Sequence, residues 1–248
     1  MVTLLLKKSY LHKDLKEIKF NDLWNARGVF TTMRIIGKSK KILFFKDHID
    51  NLLQSLKIYK LNRRNLKKNI LKLIKLNLKI NKNFDHLLRV AVNNKMISIS
   101  LRKRNKTKLN FNLKLLDYKR VDPEHKNLKY KKILSILKKL DNRKYDIALY
   151  KNNKFLETGT SNLLFIKNNK IFSPKNNLYI GTTFKFFKKK IKIILKDIYL
   201  KEIKNYEEII LIGSGKAVTS VSRIEELKWK RKSFRTFNKL ENIYKKQI

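Results

Sequence analysis

The segment Glu157-Thr-Gly-Thr-Ser-Asn162 is a polar turn between two apolar stretches of the chain. Alternating apolar residues predict a strand at residues 146–150 before it and another at residues 162–166 after it. A glutamate in such a turn is ordinarily a helix cap or a surface acid. The segment therefore indicates a site only in combination with other parts of the chain.

Three other segments carry side chains that suit a phosphorylated aldehyde cofactor. They are Lys126-Asn-Leu-Lys-Tyr130, Gly181-Thr-Thr183 and Gly213-Ser-Gly215. Hydroxyl and backbone N–H groups at a helix start or a glycine turn bind phosphate. A lysine amine can form a Schiff base with the aldehyde, and a carboxylate can keep a pyridine nitrogen protonated. Each segment alone is a weak signal, but the combination predicts such a cofactor site.

Length and composition narrow the class of protein. A chain of 248 residues with 42% hydrophobic residues can fill the core of one large domain or of two α/β lobes. The absence of cysteine excludes disulfides, thiolate nucleophiles and Cys-ligated zinc, and no metal site is expected. The apolar runs are too short for a membrane span, and residues 1–6 are too short for a signal peptide. We therefore expect a cytoplasmic protein without a membrane partner.

The formal net charge of +43 raises the possibility of nucleic-acid binding. Lysine is spread almost evenly, however, and accompanies Asn and Ile, as codon usage in an AT-rich genome would produce. The basic residues form no compact stripe with interleaved aromatics. No specific nucleic-acid partner is therefore expected, although the charge predicts some nonspecific binding of polyanions.

The same bias makes each of the six glycines informative. In a chain that otherwise avoids glycine, each one should lie where the backbone needs positive φ or where another group approaches closely.

Periodicity predicts two lobes, an α+β lobe at residues 1–118 and an α/β lobe at residues 119–248, with Pro123 in a linker between them. In the first lobe the predicted strands are 29–36, 87–92, 96–101 and 112–116, and the helices are 45–61 and 64–78. In the second lobe the predicted helices are 127–140, 183–194 and 237–246, and the strands are 146–150, 162–166, 170–172 and 208–212.

The order and spacing of these segments resemble the class IV aminotransferases, which are fold type IV pyridoxal-phosphate enzymes. The group includes branched-chain and D-amino-acid aminotransferases and aminodeoxychorismate lyase. Lys126 precedes Glu157 by 31 residues (157 minus 126), close to the family's spacing. Arg27-Gly-Val-Phe-Thr-Thr-Met-Arg34 is similar to the family's Gly-Val-Phe-Glu-Thr-x-Arg strand, and Asp47-His-Ile-Asp-Asn-Leu-Leu-Gln-Ser55 to its His-x-x-Arg-Leu-x-x-Ser helix. The resemblance covers residues 24–221 and implies a two-lobed α+β (α/β) architecture.

The resemblance also implies roles for individual residues. Lys126 corresponds to the catalytic Schiff-base lysine, in the C-terminal lobe, and Glu157 to the partner of the ring nitrogen. The other implied cofactor-binding residues are Tyr130, Ser161, Asn162, Thr182, Thr183 and Ser214, and the implied substrate-binding residues are Phe30, Arg89 and Gly215. Arg89 suits a carboxylate because a guanidinium pairs with it through two hydrogen bonds. The cofactor would be pyridoxal 5'-phosphate and the protein a homodimer.

Two positions depart from the family pattern. Asn51 stands where the family carries a phosphate-binding arginine, and Asn25 where many members have tyrosine. The broadest interpretation is an aminotransferase acting on a branched-chain-like amino acid. Thr31, where aminotransferases commonly have glutamate, leans toward 4-amino-4-deoxychorismate lyase. The competitor from another class is a catalytically decayed member or a basic nucleic-acid-binding protein.

Overall fold

The computed structural model describes residues 4–78 and 83–248. Contacts divide these residues into two compact units. Unit 1 runs to Arg104 and also includes His125–Lys131, and unit 2 consists of Asn105–Glu124 and Lys132–Ile248. No helix of the described ranges is long and apolar enough to cross a membrane.

Unit 1 is built on one six-stranded sheet and two helices. Its strands are β1 (Leu4–Leu11), β2 (Glu17–Ile18), β3 (Gly28–Gly37), β4 (Lys41–Ile42), β5 (Phe84–Asn93) and β6 (Met96–Lys103), and its helices are α1 (Phe45–Ile58) and α2 (Leu66–Asn77). The strand order is β2-β1-β6-β5-β3-β4, with antiparallel pairing throughout. The apolar stripe of α1, which includes Ile49, Leu52 and Leu56, joins α2 and the sheet in one core.

Unit 2 contains two five-stranded sheets. Its strands are β7 (Asn112–Asp117), β8 (Tyr145–Lys151), β9 (Lys154–Thr158), β10 (Asn162–Lys167), β11 (Lys170–Ser173), β12 (Ile193–Leu195), β13 (Glu208–Gly213), β14 (Ala217–Ser220), β15 (Arg223–Ile224) and β16 (Trp229–Lys230). Its helices are α3 (Lys131–Leu137), whose first residue belongs to unit 1, α4 (Thr182–Lys188) and α5 (Arg235–Lys245), with 3-10 turns at Leu200–Asn205 and Glu225–Leu227. The strand orders are β12-β11-β10-β13-β14 and β16-β15-β7-β8-β9.

Aromatic side chains dominate the core of unit 2. Phe165 packs against Phe155 and Tyr206 with ring centroids 5.1 Å and 5.3 Å apart. The buried Trp229 joins the same cluster and donates its indole N–H to the carbonyl oxygen of Tyr206 at 2.9 Å. Large rings with their polar groups satisfied stabilise a core strongly, and this core supports the two sheets that carry the polar turns described below.

The mixed α and β architecture confirms the predicted fold class. Every predicted strand is present within one to three residues of its predicted ends, and so are the helices at 45–61, 64–78 and 237–246. The eight-residue strand β1 and several short strands, among them β9, β12 and β14, were not predicted. The helix predicted at 183–194 was wrong beyond Lys188, because Ile193 and Ile194 pair in parallel with β11. Sheet pairing by β-branched residues outweighs the helical pattern there.

The helix predicted at 127–140 begins instead at Lys131, because Asn127 forms a bridge to Val29 of β3. The compact units also differ from the predicted lobes. Residues 105–118 lie in unit 2, where β7 pairs in parallel with β8. The segment carrying Lys126, predicted for the C-terminal lobe, lies in unit 1.

Candidate active site

Backbone hydrogen bonds hold the Lys126 segment against the start of β3. The Phe30 N–H donates to the Lys126 carbonyl oxygen at 2.9 Å, and the Leu128 N–H donates to that of Gly28 at 2.9 Å. The Lys126 Nζ lies 5.1 Å from the centroid of the Phe30 ring. The hydrogen bonds of Lys126 and Leu128 with β3 therefore position this backbone, and the amine lies beside an aromatic face.

Phe30 belongs to a cluster of three aromatic side chains in unit 1. Trp24 contacts Phe30 edge-on at 4.9 Å between ring centroids, and Phe30 contacts the buried Tyr130 at 5.5 Å in the same geometry. The guanidinium carbon of Arg89 lies 3.7 Å from the centroid of Trp24. This is a cation–π arrangement that holds the guanidinium plane in place.

Arg89 carries polar atoms without a protein partner. Its Nε and Nη2 are buried and make no hydrogen bond in the described residues. Burial lowers the pKa of Arg89 to about 9, whereas the nearby Asp22 acts in the opposite direction. A buried cationic donor without an acceptor is costly, so the arrangement suits an anionic ligand group.

His48 and Thr31 form a second buried pair in unit 1. The Thr31 Oγ1 and the His48 Nδ1 lie 2.8 Å apart. Burial lowers the pKa of His48 to about 3, and the charge of Lys126 contributes to the same shift. His48 is therefore neutral at physiological pH and serves Thr31 as a hydrogen-bond partner.

Replacing His48 with glutamine is expected to make the protein less sensitive to acid. An unfolded histidine titrates near pH 6.5, whereas the folded His48 has its pKa near 3. Between these pH values the unfolded chain binds a proton that the folded chain excludes, so stability falls as the pH falls through this window. We expect His48→Gln to reduce the stability lost between pH 7 and 4.5 by about 2 kcal/mol.

Urea unfolding at several pH values measures this difference. His125→Gln, which changes a half-exposed histidine of the same unit, is the matched control. Equal pH dependence in the wild type and His48→Gln would contradict the prediction.

In unit 2, the carboxylate of Glu157 pairs with a buried arginine. Glu157 lies near the end of β9, and its Oε1 accepts a hydrogen bond from Arg120 Nε at 2.6 Å. The side chains of Arg120 and Glu157 are only 1% and 6% exposed. Removing one partner would leave an unpaired buried charge, at a cost of about 3–5 kcal/mol. The Glu157 Oε2 accepts a longer hydrogen bond, 3.3 Å, from the Tyr179 N–H.

A second buried carboxylate, Asp146, organises the turn that follows Glu157. The Asp146 Oδ2 accepts hydrogen bonds from the hydroxyls of Thr158 at 3.1 Å and Thr160 at 2.5 Å. The Thr158 Oγ1 in turn accepts the Ser161 N–H at 2.8 Å. Burial raises the pKa of Asp146, and the charge of Lys216 partly opposes that shift. These bonds specify one conformation for the turn.

Asn162 links this turn to the start of α4. Its Nδ2 donates to the Tyr179 carbonyl oxygen at 2.7 Å, and its Oδ1 accepts the Gly181 N–H at 3.1 Å. The side chain thus fixes the loop that leads to the helix. Thr182 and Thr183 begin α4 and are both buried. The Thr183 Oγ1 makes no hydrogen bond in the described residues.

Ser214 and Gly215 lie in the half-buried turn between β13 and β14. This turn lies close to Ser161, since a Cβ added at Gly213 would be 2.9 Å from the Ser161 Oγ. The buried Lys216 closes the turn and donates from its Nζ to the Asn142 carbonyl oxygen.

The predicted site residues therefore fall into two groups. Unit 1 gathers Lys126, Phe30, Tyr130 and Arg89, and unit 2 gathers Glu157, Ser161, Asn162, Thr182, Thr183, Ser214 and Gly215. The sequence-based prediction missed four residues that the structure places around these groups: Trp24, His48, Arg120 and Asp146. Arg120 had no distinguishing signal among 62 basic residues. Asp146 did have a signal in the sequence, because it is an acidic residue at the start of an apolar strand.

Comparisons with known proteins agree on one family and one fold. The profile described as amino-transferase class IV matches residues 28–224. The branched-chain aminotransferase from the archaeon Thermoproteus uzoniensis, solved with norvaline, is similar with a TM-score of 0.78 and 17% identity, covering 96% of this chain and 93% of that one.

Two further solved structures show the same fold. A hypothetical aminotransferase from Mycobacterium tuberculosis in its PLP-bound form has a TM-score of 0.74 and 13% identity, covering 96% of this chain and 98% of that one. A putative 4-amino-4-deoxychorismate lyase from Legionella pneumophila has a TM-score of 0.72 and 16% identity, covering 89% and 91%. No curated protein matches the chain in sequence. At these identities the structural likenesses establish the fold alone, and that fold is the predicted fold type IV.

Proposed function

The chain belongs to the amino-transferase class IV family, and from this premise we propose that it is a pyridoxal-phosphate enzyme that transfers the amino group of a branched-chain-like amino acid. The observation that carries the proposal is the buried carboxylate of Glu157, held by Arg120 beside a turn that Asp146 fixes. A buried carboxylate that is paired with a guanidinium and lies beside a rigid turn is a candidate functional group.

Two structural observations fit this proposal, one for the cofactor's phosphate and one for the substrate's carboxylate. The unpartnered hydroxyl of Thr183, at the first turn of α4, can donate to a phosphate oxygen. The unpartnered Nε and Nη2 of Arg89 can bind a substrate carboxylate. Thr182 and Ser214 would add hydroxyl groups for the phosphate. Asn51, which lies on α1, cannot supply the charge of the arginine that the family has there.

When bound, the cofactor supplies an electron sink that stabilises negative charge at the substrate's α carbon. Glu157 would accept a hydrogen bond from its ring nitrogen and favour protonation of that nitrogen. Lys126 would bind the cofactor aldehyde covalently and then carry a proton on its Nζ. Tyr130 would contact the cofactor's phenolic oxygen, and Phe30 and Gly215 would border the substrate.

Two further residues of unit 2 would form part of the wall of the cofactor site. Ser161 and Asn162 would line the cofactor, and the amide of Asn162 would do so while it fixes the Tyr179–Gly181 loop. The resemblance also leads us to expect a homodimer located in the cytosol.

An absorbance spectrum tests the proposal. Purified protein supplied with pyridoxal phosphate should gain a band in the near-visible and should then convert branched-chain or D-amino acids with 2-oxoglutarate. A protein that binds no chromophore under any condition would be a decayed member or a polyanion-binding protein. Binding of RNA with a steep salt dependence would favour the latter.

A second candidate, 4-amino-4-deoxychorismate lyase, is favoured by Thr31. A threonine offers no carboxylate at this position, and its hydroxyl is hydrogen-bonded to the buried His48. Incubation with aminodeoxychorismate should release pyruvate if the lyase interpretation is correct. Turnover that depends on 2-oxoglutarate without release of pyruvate would leave transamination.

Replacing Arg89 with methionine is expected to raise KM for the carboxylate substrate about 10- to 100-fold, because it removes charge-assisted hydrogen bonds. The dissociation constant of pyridoxal phosphate should change less than about twofold if Arg89 binds substrate alone. Steady-state kinetics and a cofactor titration measure the two effects. The matched control is Arg102→Met, which removes another arginine of unit 1, partly buried, whose pKa is lowered by burial. Equal effects of both substitutions would contradict the assignment.

A further inference from the structure

We propose that Arg120 is a positioning residue that sets the orientation and the charge of Glu157 toward the cofactor's ring nitrogen. The inference rests on the proposed function, since it gives Arg120 a role only through Glu157. It concerns contacts within unit 2.

The contact geometry is that of a strong, desolvated ion pair. The Arg120 Nε and the Glu157 Oε1 are 2.6 Å apart, and both side chains are almost completely excluded from solvent. Charge-assisted hydrogen bonds of this length are about twice as strong as neutral ones. The Arg120 Nη2 also donates to the Pro123 carbonyl oxygen at 2.5 Å. The guanidinium is thus held at two points and cannot rotate away from the carboxylate.

The sheet explains why these two residues meet. Arg120 follows β7 by three residues, and Glu157 lies on β9. Both strands flank β8, β7 in parallel and β9 in antiparallel pairing. The pairing of Tyr118 N–H with the Tyr150 carbonyl oxygen at 3.0 Å continues this ladder beyond the end of β7. The position of Arg120 therefore follows from the strand register.

The ion pair with Arg120 determines the ionisation and the orientation of the Glu157 carboxylate. A buried carboxyl group without a partner favours its neutral form, which donates rather than accepts a hydrogen bond. The adjacent guanidinium favours the ionised form, and it also restrains Oε1. A carboxylate kept ionised and oriented in this way can maintain a proton on a neighbouring ring nitrogen. Loss of Arg120 should therefore change the cofactor's protonation behaviour as well as its affinity.

A double-mutant cycle on the full-length protein tests the inference. The variants are Arg120→Lys, Arg120→Met, Glu157→Gln and the double variant Arg120→Met/Glu157→Gln, each titrated with pyridoxal phosphate. The two readouts are the dissociation constant and the pH midpoint of the near-visible band. Arg143→Met is the matched control, since Arg143 pairs with Asp141 at the surface of the same unit.

We expect Arg120→Met to weaken cofactor binding about tenfold or more, which corresponds to the loss of one charge-assisted bond. The pH midpoint of its band should shift by at least about half a unit. Arg120→Lys should restore part of both effects, because lysine keeps the charge and loses the fork. In the Glu157→Gln background, Arg120→Met should change the dissociation constant less than about twofold, because its target is absent.

An unchanged pH midpoint in Arg120→Met, or equal weakening with and without the Glu157 carboxylate, would overturn the inference and leave Arg120 a purely structural residue. If Arg120→Met does not fold, Arg120→Lys and the double variant, whose pair is neutral, carry the same comparison. A wild-type protein without a Lys126-dependent band would overturn the proposed function itself. A normal wild-type band with unaltered Arg120 variants would overturn this inference alone.

Discussion

Lys126→Ala should abolish the near-visible band that the wild-type protein gains with pyridoxal phosphate. The Lys126 Nζ lies 5.1 Å from the centroid of the Phe30 ring, and hydrogen bonds to β3 hold its backbone. Alanine keeps those backbone bonds but removes both the covalent link and the mobile proton. Turnover should fall by about 10³-fold or more, because both nucleophile and general acid/base are lost.

Lys129→Ala is the matched control for this substitution. Lys129 lies three residues further along the same segment, but its side chain is exposed. Its removal should leave the spectrum and turnover unchanged. A band of normal intensity in Lys126→Ala, or its loss in Lys129→Ala, would contradict the assignment of Lys126.

Gly28→Ala should unfold the protein or destabilise it by at least about 3 kcal/mol, because overpacking against a rigid backbone cannot relax. A Cβ at Gly28 would lie 2.3 Å from the Val92 carbonyl oxygen and 2.7 Å from the Leu128 Cδ1. The first of these atoms belongs to the β3–β5 ladder, and the second to the segment that follows Lys126. The methyl group must therefore displace one or both, and cofactor binding should fall along with stability.

Urea unfolding followed by circular dichroism measures the loss. Gly37→Ala is the control at the other end of β3, where φ is +74° and the nearest atom is 3.7 Å away. That change should cost only about 1 kcal/mol for the left-handed backbone. Equal stability of the two variants would show that close approach is not the reason for glycine at position 28.

Regular periodicity explains which elements could be predicted from the sequence. The strands β3, β5 and β8 alternate or are continuously apolar, and α1 has a clear apolar stripe, so tertiary contacts only reinforce the local preference. The short strands β12 and β14 could not be predicted because their pairing partners, not their own residues, define them. The segment 127–130 was likewise predicted as helix because its extended conformation depends on pairing with β3, which lies far away in sequence.

The prediction about glycine is confirmed at four positions, through positive φ at one and close approach at three. Among the described residues Gly37 is the glycine with positive φ, and Gly28, Gly159 and Gly213 have a close neighbour instead. Asparagine takes up many of the left-handed positions, as in the Asn152-Asn153 and Asn168-Asn169 turns. In a chain poor in glycine, asparagine pairs were therefore the better signal for hairpins.

The sequence predicted individual residues of the candidate site, but not the residues that hold them in position. Lys126 and Glu157 were identified by resemblance, which operates on motif positions. Arg120 lies outside any quoted motif and looks like any other basic residue of the chain. Its importance depends on the parallel pairing of β7 with β8, a long-range contact that no local pattern encodes.

The chain crosses between its two units three times, and this has a practical consequence for dissecting the protein. A cut after Arg104 would give a first fragment without His125–Lys131, leaving the Phe30 N–H and the Gly28 carbonyl without their partners. A cut after Lys131 would keep that segment but remove β7 from the second fragment, where it pairs with β8. Neither unit can be produced intact by truncation, so split versions should recover structure only by complementation of two co-expressed pieces.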